Sequence, residues 1–458
     1  MAYEVHHINK WAYANLDMVE ETLEKEHKAV ILIAGASSSG KSYCAAILKE
    51  LLQQNGHKTC IISLDQYNVG LSNIIPNKVN LNFFDNSLPN MKEICSRIKK
   101  IIYDVPFDSK YKPEVLERIR DNITDLLNEE DVDKFIDALA VEWAKLNFDE
   151  PTVYDMKEAA ADVKLLLKNR RISKKKYSKV VSERVPSNSY ISGKDYEVII
   201  VEGIYSLDST LLDELEDVNT IKDFIDGNPK SLFLRRIIRD AKITSASSVF
   251  TISAYFKYIV KSYLSTINPC RQYADIILNN DMTFDEMRAG TLYTNRFLLH
   301  TQSKKALEEI KKQSTIVEQV YQKDIYFSVE GEEKSKNLLR LRCISQDGIN
   351  YTPSSLVHKG LPKIRRDNKV IRPINVFLKE GEFNKVWSSL DECIHDFAYA
   401  GFLIGPVEFK VKTRVDFENT RLNLREIKDH GYSIEFVSTP KPEIVKKIKK
   451  IIRKAEEE

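Results

Sequence analysis

The first long apolar segment of the chain does not alternate. Val30-Ile31-Leu32-Ile33-Ala34 is continuous and runs straight into Gly35-Ala36-Ser37-Ser38-Ser39-Gly40-Lys41-Ser42. An unbroken run bounded by glycine reads as a strand buried on both faces, as in a parallel sheet. Tyr43 to Leu52 then follows helical spacing, so the stretch predicts strand, loop and helix in that order. Lys58 to Asp65 and Tyr196 to Tyr205 predict two further buried strands, carrying Asp65 and Glu202 at or near their ends. Leu16, Val19 and Leu23 predict an amphipathic helix from Asn15 to His27 that braces the first strand. From about Gly70 to Leu146 the pattern turns to long charged helices (Pro113 to Asn128, Val132 to Leu146). This reads as a helical insertion, either a packed hairpin or oligomerisation surface, or else a lid over a substrate. The α/β pattern resumes at Asn147, with a helix from Tyr154 to Lys168, a helix holding Arg235, Arg236 and Arg239, and a strand from Tyr273 to Leu278 that closes the sheet.

Beyond about Gly290 the period changes to two. Strands are predicted over Asp324 to Val329, Leu338 to Ile344, Val370 to Leu378, Val407 to Val415, Arg421 to Leu424 and Ser433 to Val437, with helices over Lys379 to Ala400 and Pro442 to Glu458. Alternation puts Arg340 and Arg342 on one face, and Lys410, Lys412 and Arg414 on one face of another strand. Such faces read either as an anion-binding concavity or barrel interior, or as solvated surface. The expected organisation is an N-terminal helix (1–28), an α/β domain (29–290, insertion at about 70–146), a strand-rich domain (291–440) and a C-terminal helix (441–458).

Composition narrows the partners. With 43% hydrophobic and 30% charged residues the chain is ordinary globular protein, and its net charge of +2 makes no case for nucleic acid or a membrane surface. Six scattered cysteines without CxxC spacing suggest reduced thiols, and there is no run of eighteen apolar residues, so the expected compartment is the cytoplasm. Oligomerisation stays open.

The loop supplies the chemistry. Gly35, Gly40, Lys41 and Ser42 fit G-x-x-x-x-G-K-[ST] in its strand–loop–helix setting. Backbone N–H groups from Gly35 through Ala36, Ser37, Ser38, Ser39 and Gly40 to Ser42, with the helix N-terminus behind them, make a cradle for a polyphosphate such as ATP. Lys41 reaches the outer phosphates and the Ser42 hydroxyl serves Mg²⁺. Strand-end carboxylates face the ligand crevice of a parallel sheet, which puts Asp65 beside the phosphates and makes Glu202 a second metal support. Arginines three and four apart (Arg235, Arg236, Arg239) could clamp phosphoryl oxygens as a lid, or be an exposed basic face.

Six segments in order carry a resemblance: GASSSGKS, Ser63-Leu64-Asp65-Gln66-Tyr67, Asn147-Phe148-Asp149-Glu150-Pro151, Lys176-Tyr177, Val201-Glu202-Gly203-Ile204 and Arg235-Arg236-Ile237-Ile238-Arg239-Asp240. Together they resemble the uridine kinase and phosphoribulokinase group of P-loop kinases. The resemblance implies ATP and Mg²⁺, Asp65 as base or orienter of an acceptor hydroxyl, Tyr67, Tyr177 and Arg184 around a nucleoside or similar small acceptor, and Lys41 and Arg239 in catalysis. Ser178 and Ser182 stand where uridine kinases carry aspartate and histidine, and their R-G-R lid motif is missing after Ala241.

The second half resembles the CYTH, or triphosphate tunnel, superfamily through Gln322-x-Asp324-x-Tyr326-Phe327, Leu339-Arg340-Leu341-Arg342, His358-Lys359-Gly360 and Val411-Lys412-Thr413-Arg414. This implies an antiparallel α+β barrel that binds polyphosphate or a nucleotide through Arg296, Arg340, Arg342, Lys359, Arg372, Lys412 and Arg414, with Glu435 as the surviving acid. The E-x-E-x-K strand of that superfamily is replaced by Leu292-Tyr293-Thr294-Asn295-Arg296, which argues for binding over hydrolysis. The expectation is therefore an ATP-dependent phosphotransferase. The alternative is a tunnel-type phosphohydrolase of pyrophosphate, triphosphate or nucleotides, with the P-loop as sensor.

Overall fold

The computed structural model describes residues 2–70, 90–103, 113–144, 147, 149–178, 183–185, 187–243, 246–283, 286, 292–331, 338–359, 363–364 and 369–458. The chain forms two compact units, Met1–Ser247 with Ala254–Asp281, and Ser248–Ser253 with Met282–Glu458.

The first unit is built on a six-stranded, all-parallel sheet. Its strands are β1 (Tyr3–Val5), β2 (Ala29–Gly35), β3 (Thr59–Ser63), β8 (Val198–Glu202), β9 (Thr220–Asp226) and β10 (Ile276–Asn279), in the order β1-β10-β9-β2-β8-β3. Between β3 and β8 lie two small antiparallel pairs, β4 (Arg171–Ser173) with β7 (Tyr190–Ser192) and β5 (Lys176–Ser178) with β6 (Glu183–Val185).

Every residue of β2 is buried, because helices cover both faces. Ile31 and Ile33 pack with Trp11, Leu16 and Val19 of helix α1 (Ile8–Lys25) and with Ala45 and Leu48 of helix α2 (Lys41–Gln54). Val30, Leu32 and Ala34 pack on the opposite side with Ala159 and Val163 of the helix Met156–Leu167. The helical insertion has its own apolar cluster, including Ile94, Ile98, Ile119, Phe135 and Leu139.

Several expectations need correction. α1 starts at Ile8, well before Asn15, because Trp11 and Ala12 extend the buried stripe backwards. The helix predicted to reach Asn128 ends at Asp121. β10 does not close the sheet; β1 pairs beyond it. β9, beside the P-loop strand, is invisible to an apolar-run criterion because Lys222, Asp223 and Asp226 interrupt it. Asp223 is nevertheless fully buried near Asn15 and Trp11, and burial pushes its carboxyl well above the usual range.

Close approach of β9 explains Gly35. Its φ is +141°, and a Cβ there would sit 2.0 Å from the Ile225 carbonyl oxygen. Gly35→Ala should cost roughly 2–6 kcal/mol, the sum of backbone strain and overpacking. A fall in the urea midpoint of the full chain would show it.

The second unit is a closed antiparallel barrel. β11 (Leu292–Thr301), β12 (Thr315–Ser328), β13 (Leu338–Ser345), β14 (Thr352–Lys359), β15 (Lys363–Ile364), β16 (Lys369–Leu378), β17 (Leu403–Phe417), β18 (Thr420–Ile427) and β19 (Gly431–Phe436) follow in sequence. Eight of them run β11-β19-β18-β17-β12-β13-β14-β16, β11 pairs back to β16, and β15 adds to β16.

The helices Lys304–Lys312 and Pro442–Glu457 bury Leu307, Ile310, Ile444 and Ile448 against Leu422, Leu424 and Ile434. The segment expected to be one helix over Lys379 to Ala400 divides into a short 3-10 turn, Phe383–Lys385, and the helix Leu390–Tyr399. Ser389 accepts from the Glu392 N–H at the start of that helix, which fixes a new N-terminus. Its Phe397 stacks on Phe327 with ring centroids 4.1 Å apart.

Candidate functional site

β2, β8 and β3 stand side by side in register, Ile33 opposite Glu202 and Glu202 opposite Ser63. Their C-terminal ends therefore deliver the glycine loop, a carboxylate and the Asp65 turn to one edge of the sheet, where ligands of open α/β folds bind. The loop is folded back on itself. The Lys41 Nζ donates to the Ala36 carbonyl at 2.7 Å, and the Ser39 N–H donates to the same oxygen at 3.1 Å. Ser38 and Gly40 adopt positive φ, +67° and +96°. The Ser42 hydroxyl donates to the Glu202 Oε2 at 3.1 Å.

Electrostatics bring the predicted residues together around Lys41. Burial pushes its amine down to about 8, opposed by the carboxylates of Glu202, Asp65 and Asp149, while Arg239 pushes the same way as burial. One buried ammonium thus feels three acids and one guanidinium from four separate segments of the chain. Ser42 and Glu202 offer two hard oxygens, which suits Mg²⁺, a cation usually held by one or two protein oxygens plus phosphate and water. Among the described residues no cluster of three or more His, Cys, Asp or Glu forms a self-sufficient metal cage.

The three arginines of the helix Pro229–Ile243 are already committed. Arg235 donates to the Asn280 carbonyl at 2.6 Å and to the Ser39 carbonyl at 3.4 Å. Arg236 donates to the Ser37 hydroxyl at 2.8 Å and to Asp240 at 2.7 Å, and its guanidinium lies 3.6 Å from Asp149. Arg239 pairs with Asp240 at 2.8 Å and stays about one-third exposed. Arg235 and Arg236 thus grip the loop itself.

Tyr67 and Arg184, expected around the acceptor, have polar partners within the protein. Tyr67 is buried, donates to Asp162 at 2.8 Å, and has its phenol pushed up by burial and that carboxylate. Arg184 donates to the carbonyls of Tyr67 and Asn68 and to Glu158, each at 2.8 Å. With Asp155 N–H on the Tyr67 carbonyl at 2.9 Å, these bonds hold the turn Leu64–Tyr67 that carries Asp65. Tyr177 is half-buried on β5. Ser182 lies outside the described residues, as does the Ser178 side chain.

Sequence reasoning missed Tyr154, whose phenol is pushed well up by burial and by Asp65 and Asp149 beside it. Asp149 belonged to a quoted motif without a role, so it was within reach; Asn280 had no local signal.

In the second unit, Asp324 is fully buried opposite Arg342. It accepts two hydrogen bonds from Arg342 at 2.6 Å and one from Lys410 at 2.9 Å, with Arg340 at 3.6 Å. Lys359 lies over the Tyr326 ring, 5.7 Å from its centroid, its amine lowered by burial and by Arg340. Lys412 is half-buried beside Arg414 and Arg425, and its amine is lowered too. Arg414 pairs with Glu318 at 3.0 Å, and Glu435 is held by Arg425 and by Asn423 at 3.1 Å. Several of the cations thus have carboxylate partners on neighbouring strands, which period-two reading of single strands cannot find. For Arg296 and Arg372 the backbone lies on β11 and β16, and their side chains lie outside the described residues.

The sequence model of the Phosphoribulokinase / Uridine kinase family matches residues 96–285, under half of the chain and beginning after the loop. A uridine kinase of Clostridium tetani is 28% identical over 188 residues, 41% of this chain and 78% of that protein. One of Oceanobacillus iheyensis is 33% identical over 132 residues, 29% of this chain and 60% of that protein. Other uridine kinases among these relatives, such as that of Bacillus pumilus, are likewise spanned over about three-fifths of their length. A solved structure described as a possible uridine kinase from Bacillus stearothermophilus aligns over 59% of this chain and 97% of that one, with 13% identity and a TM-score of 0.31. A Pyrococcus horikoshii structure aligns over 36% and 90%, with 19% identity and a TM-score of 0.26. Neither superposition is close enough to carry an argument. Over its first unit, the chain is similar in sequence to the phosphoribulokinase and uridine kinase family of P-loop kinases.

Proposed function

We propose that the first unit transfers the γ-phosphoryl group of ATP to a hydroxyl of a nucleoside or similar small acceptor. The observation that carries this reading is the convergence of Asp65, Glu202, Asp149 and Arg239 on the buried Lys41. Phosphoryl transfer needs little covalent help from protein, only positioning and charge stabilisation in line. Lys41 and the loop amides neutralise the phosphates. Asp65 orients or deprotonates the acceptor hydroxyl, and Tyr154 and Tyr177 flank that end of the crevice. Tyr67 and Arg184 act by holding the Asp65 turn. Arg239, about one-third exposed and close enough for its charge to act on Lys41, serves the transferring group. Ser42 and Glu202 would hold Mg²⁺, which when bound neutralises phosphate charge.

The test is steady-state turnover of the full chain with ATP and a panel of nucleosides and other small alcohols. Asp65→Asn should lower kcat about a hundredfold or more with little change in ATP affinity, the signature of a group acting on the acceptor. Unchanged turnover would remove Asp65 from the reaction.

For the second unit we propose polyphosphate or nucleotide binding in a CYTH-like barrel. Support comes from the gathering of Arg340, Arg342, Lys410 and Lys359 around Asp324, with Glu408 also paired to Lys410. Were the hydrolytic alternative correct, Arg340→Ala would abolish activity and Lys41→Ala would spare it.

A further inference from the structure

A cradle made of main-chain amides imposes a condition on its carbonyls. A peptide plane that turns its N–H toward an anion turns its C=O away, because the trans peptide is planar and the two groups point in opposite directions. Each outward carbonyl then needs a donor when the loop is buried. Ala36 finds one in Lys41. Ser39, whose carbonyl shares a peptide plane with the Gly40 N–H, finds its donors outside the motif altogether: the Asn280 Nδ2 at 2.7 Å and the Arg235 Nη1 at 3.4 Å.

Asn280 is itself fixed. Its N–H donates to the Asp226 carbonyl at 2.8 Å at the end of β9, and its own carbonyl accepts from Arg235 at 2.6 Å. It also lies directly on the loop, since a Cβ at Gly40 would come within 2.6 Å of the Asn280 Nδ2. Gly40, with φ of +96°, has the backbone freedom to let this plane rotate.

We propose that Asn280, backed by Arg235, is a positioning residue for nucleotide binding: its carboxamide pins the Ser39–Gly40 peptide with the carbonyl outward, so that the Gly40 amide faces the phosphates. The proposal rests on reading the loop as a nucleotide site. Loss of the donor lets the plane flip and turns an oxygen toward the anion. Asn280→Asp is the sharper change, because it keeps the shape and sets a carboxylate against the Ser39 carbonyl.

The experiment titrates the full chain with Mg²⁺ and the fluorescent analogues mant-ATP and mant-adenosine. Asn280→Ala should weaken mant-ATP about five- to tenfold, the scale of one hydrogen bond. Asn280→Asp should weaken it more than tenfold. Asn280→Gln, which keeps a carboxamide donor, should stay within about threefold of the wild type. Mant-adenosine, lacking phosphates, should bind all four proteins alike, and circular dichroism melting checks that each is folded. Wild-type binding of mant-ATP with Asn280→Ala and Asn280→Asp unchanged within twofold overturns the proposal alone. Equal loss of mant-adenosine also overturns it, by assigning Asn280 to the base or to stability. A wild type that binds no mant-ATP overturns the reading of the loop and the proposal with it.

Discussion

Replacing Lys41 by alanine should lower ATP-dependent phosphotransfer by about a hundredfold or more, the scale of removing one preorganised charge from a water-poor site. Lys41 is only 7% exposed and its ammonium is held on the Ala36 carbonyl, so its charge sits inside the loop. The same burial gives the prediction a pH signature. With the amine pushed down to about 8, its charge disappears as pH rises through that value. ATP affinity should then weaken by up to about tenfold per pH unit above the titration, and this alkaline limb should be missing in Lys41→Ala. Stability runs the other way. The folded value lies below the unfolded one, so the protonated lysine costs stability throughout the range below pH 8, and the cost is relieved between about 8 and 10.5. Lys41→Ala should therefore be no less stable than the wild type at neutral pH while losing most of its turnover. Turnover near wild type in a steady-state assay would end the kinase reading.

Asp324→Asn should destabilise the barrel by about 3–5 kcal/mol, the cost of leaving buried charges without their partner. Burial alone would raise this carboxyl. The hydrogen bonds from Arg342 and the charges of Arg340, Arg342 and Lys410 reverse that and hold it well below the usual carboxylate range. Its contribution is thus complete above the unfolded value near pH 4 and fades as the solution becomes more acid. Hydrogen exchange by mass spectrometry should show faster exchange across β12 and β13 in the variant, with the first unit unaffected. Exchange equal to wild type would mean that the cations do not depend on this acid.

The loop and its flanking elements were legible because everything they need is local: an apolar run, two glycines, a lysine and a serine within a few residues. Glu202 ends β8 and Asp65 follows the end of β3, so both positions could be read locally from a buried run that finishes in an acid. What escaped notice was non-local or locally contradictory. β9 carries Lys222 and Asp223 in its middle, and it is the neighbouring strands β2 and β10 that make this run a strand. β14, with Ser354, Ser355 and His358 in its run, looks like a loop until β13 and β16 flank it. Alternation alone left Arg340 and Arg342 open between a concavity or barrel interior and a solvated face, because Asp324, which answers them, lies on another strand. The bond from Tyr67 to Asp162 could not be read because that partner lies far along the chain.

The bonds that brace the glycine loop have a thermodynamic consequence. Arg236 on the Ser37 hydroxyl, Lys41 and Ser39 on the Ala36 carbonyl, and Asn280 on the Ser39 carbonyl are all made by the protein with itself. The conformational entropy of the loop is therefore surrendered during folding, and an arriving nucleotide has little disorder left to remove. Calorimetry of nucleotide binding should reveal a small ordering penalty, and the grip of this loop on phosphate is a property of the α/β unit as a whole.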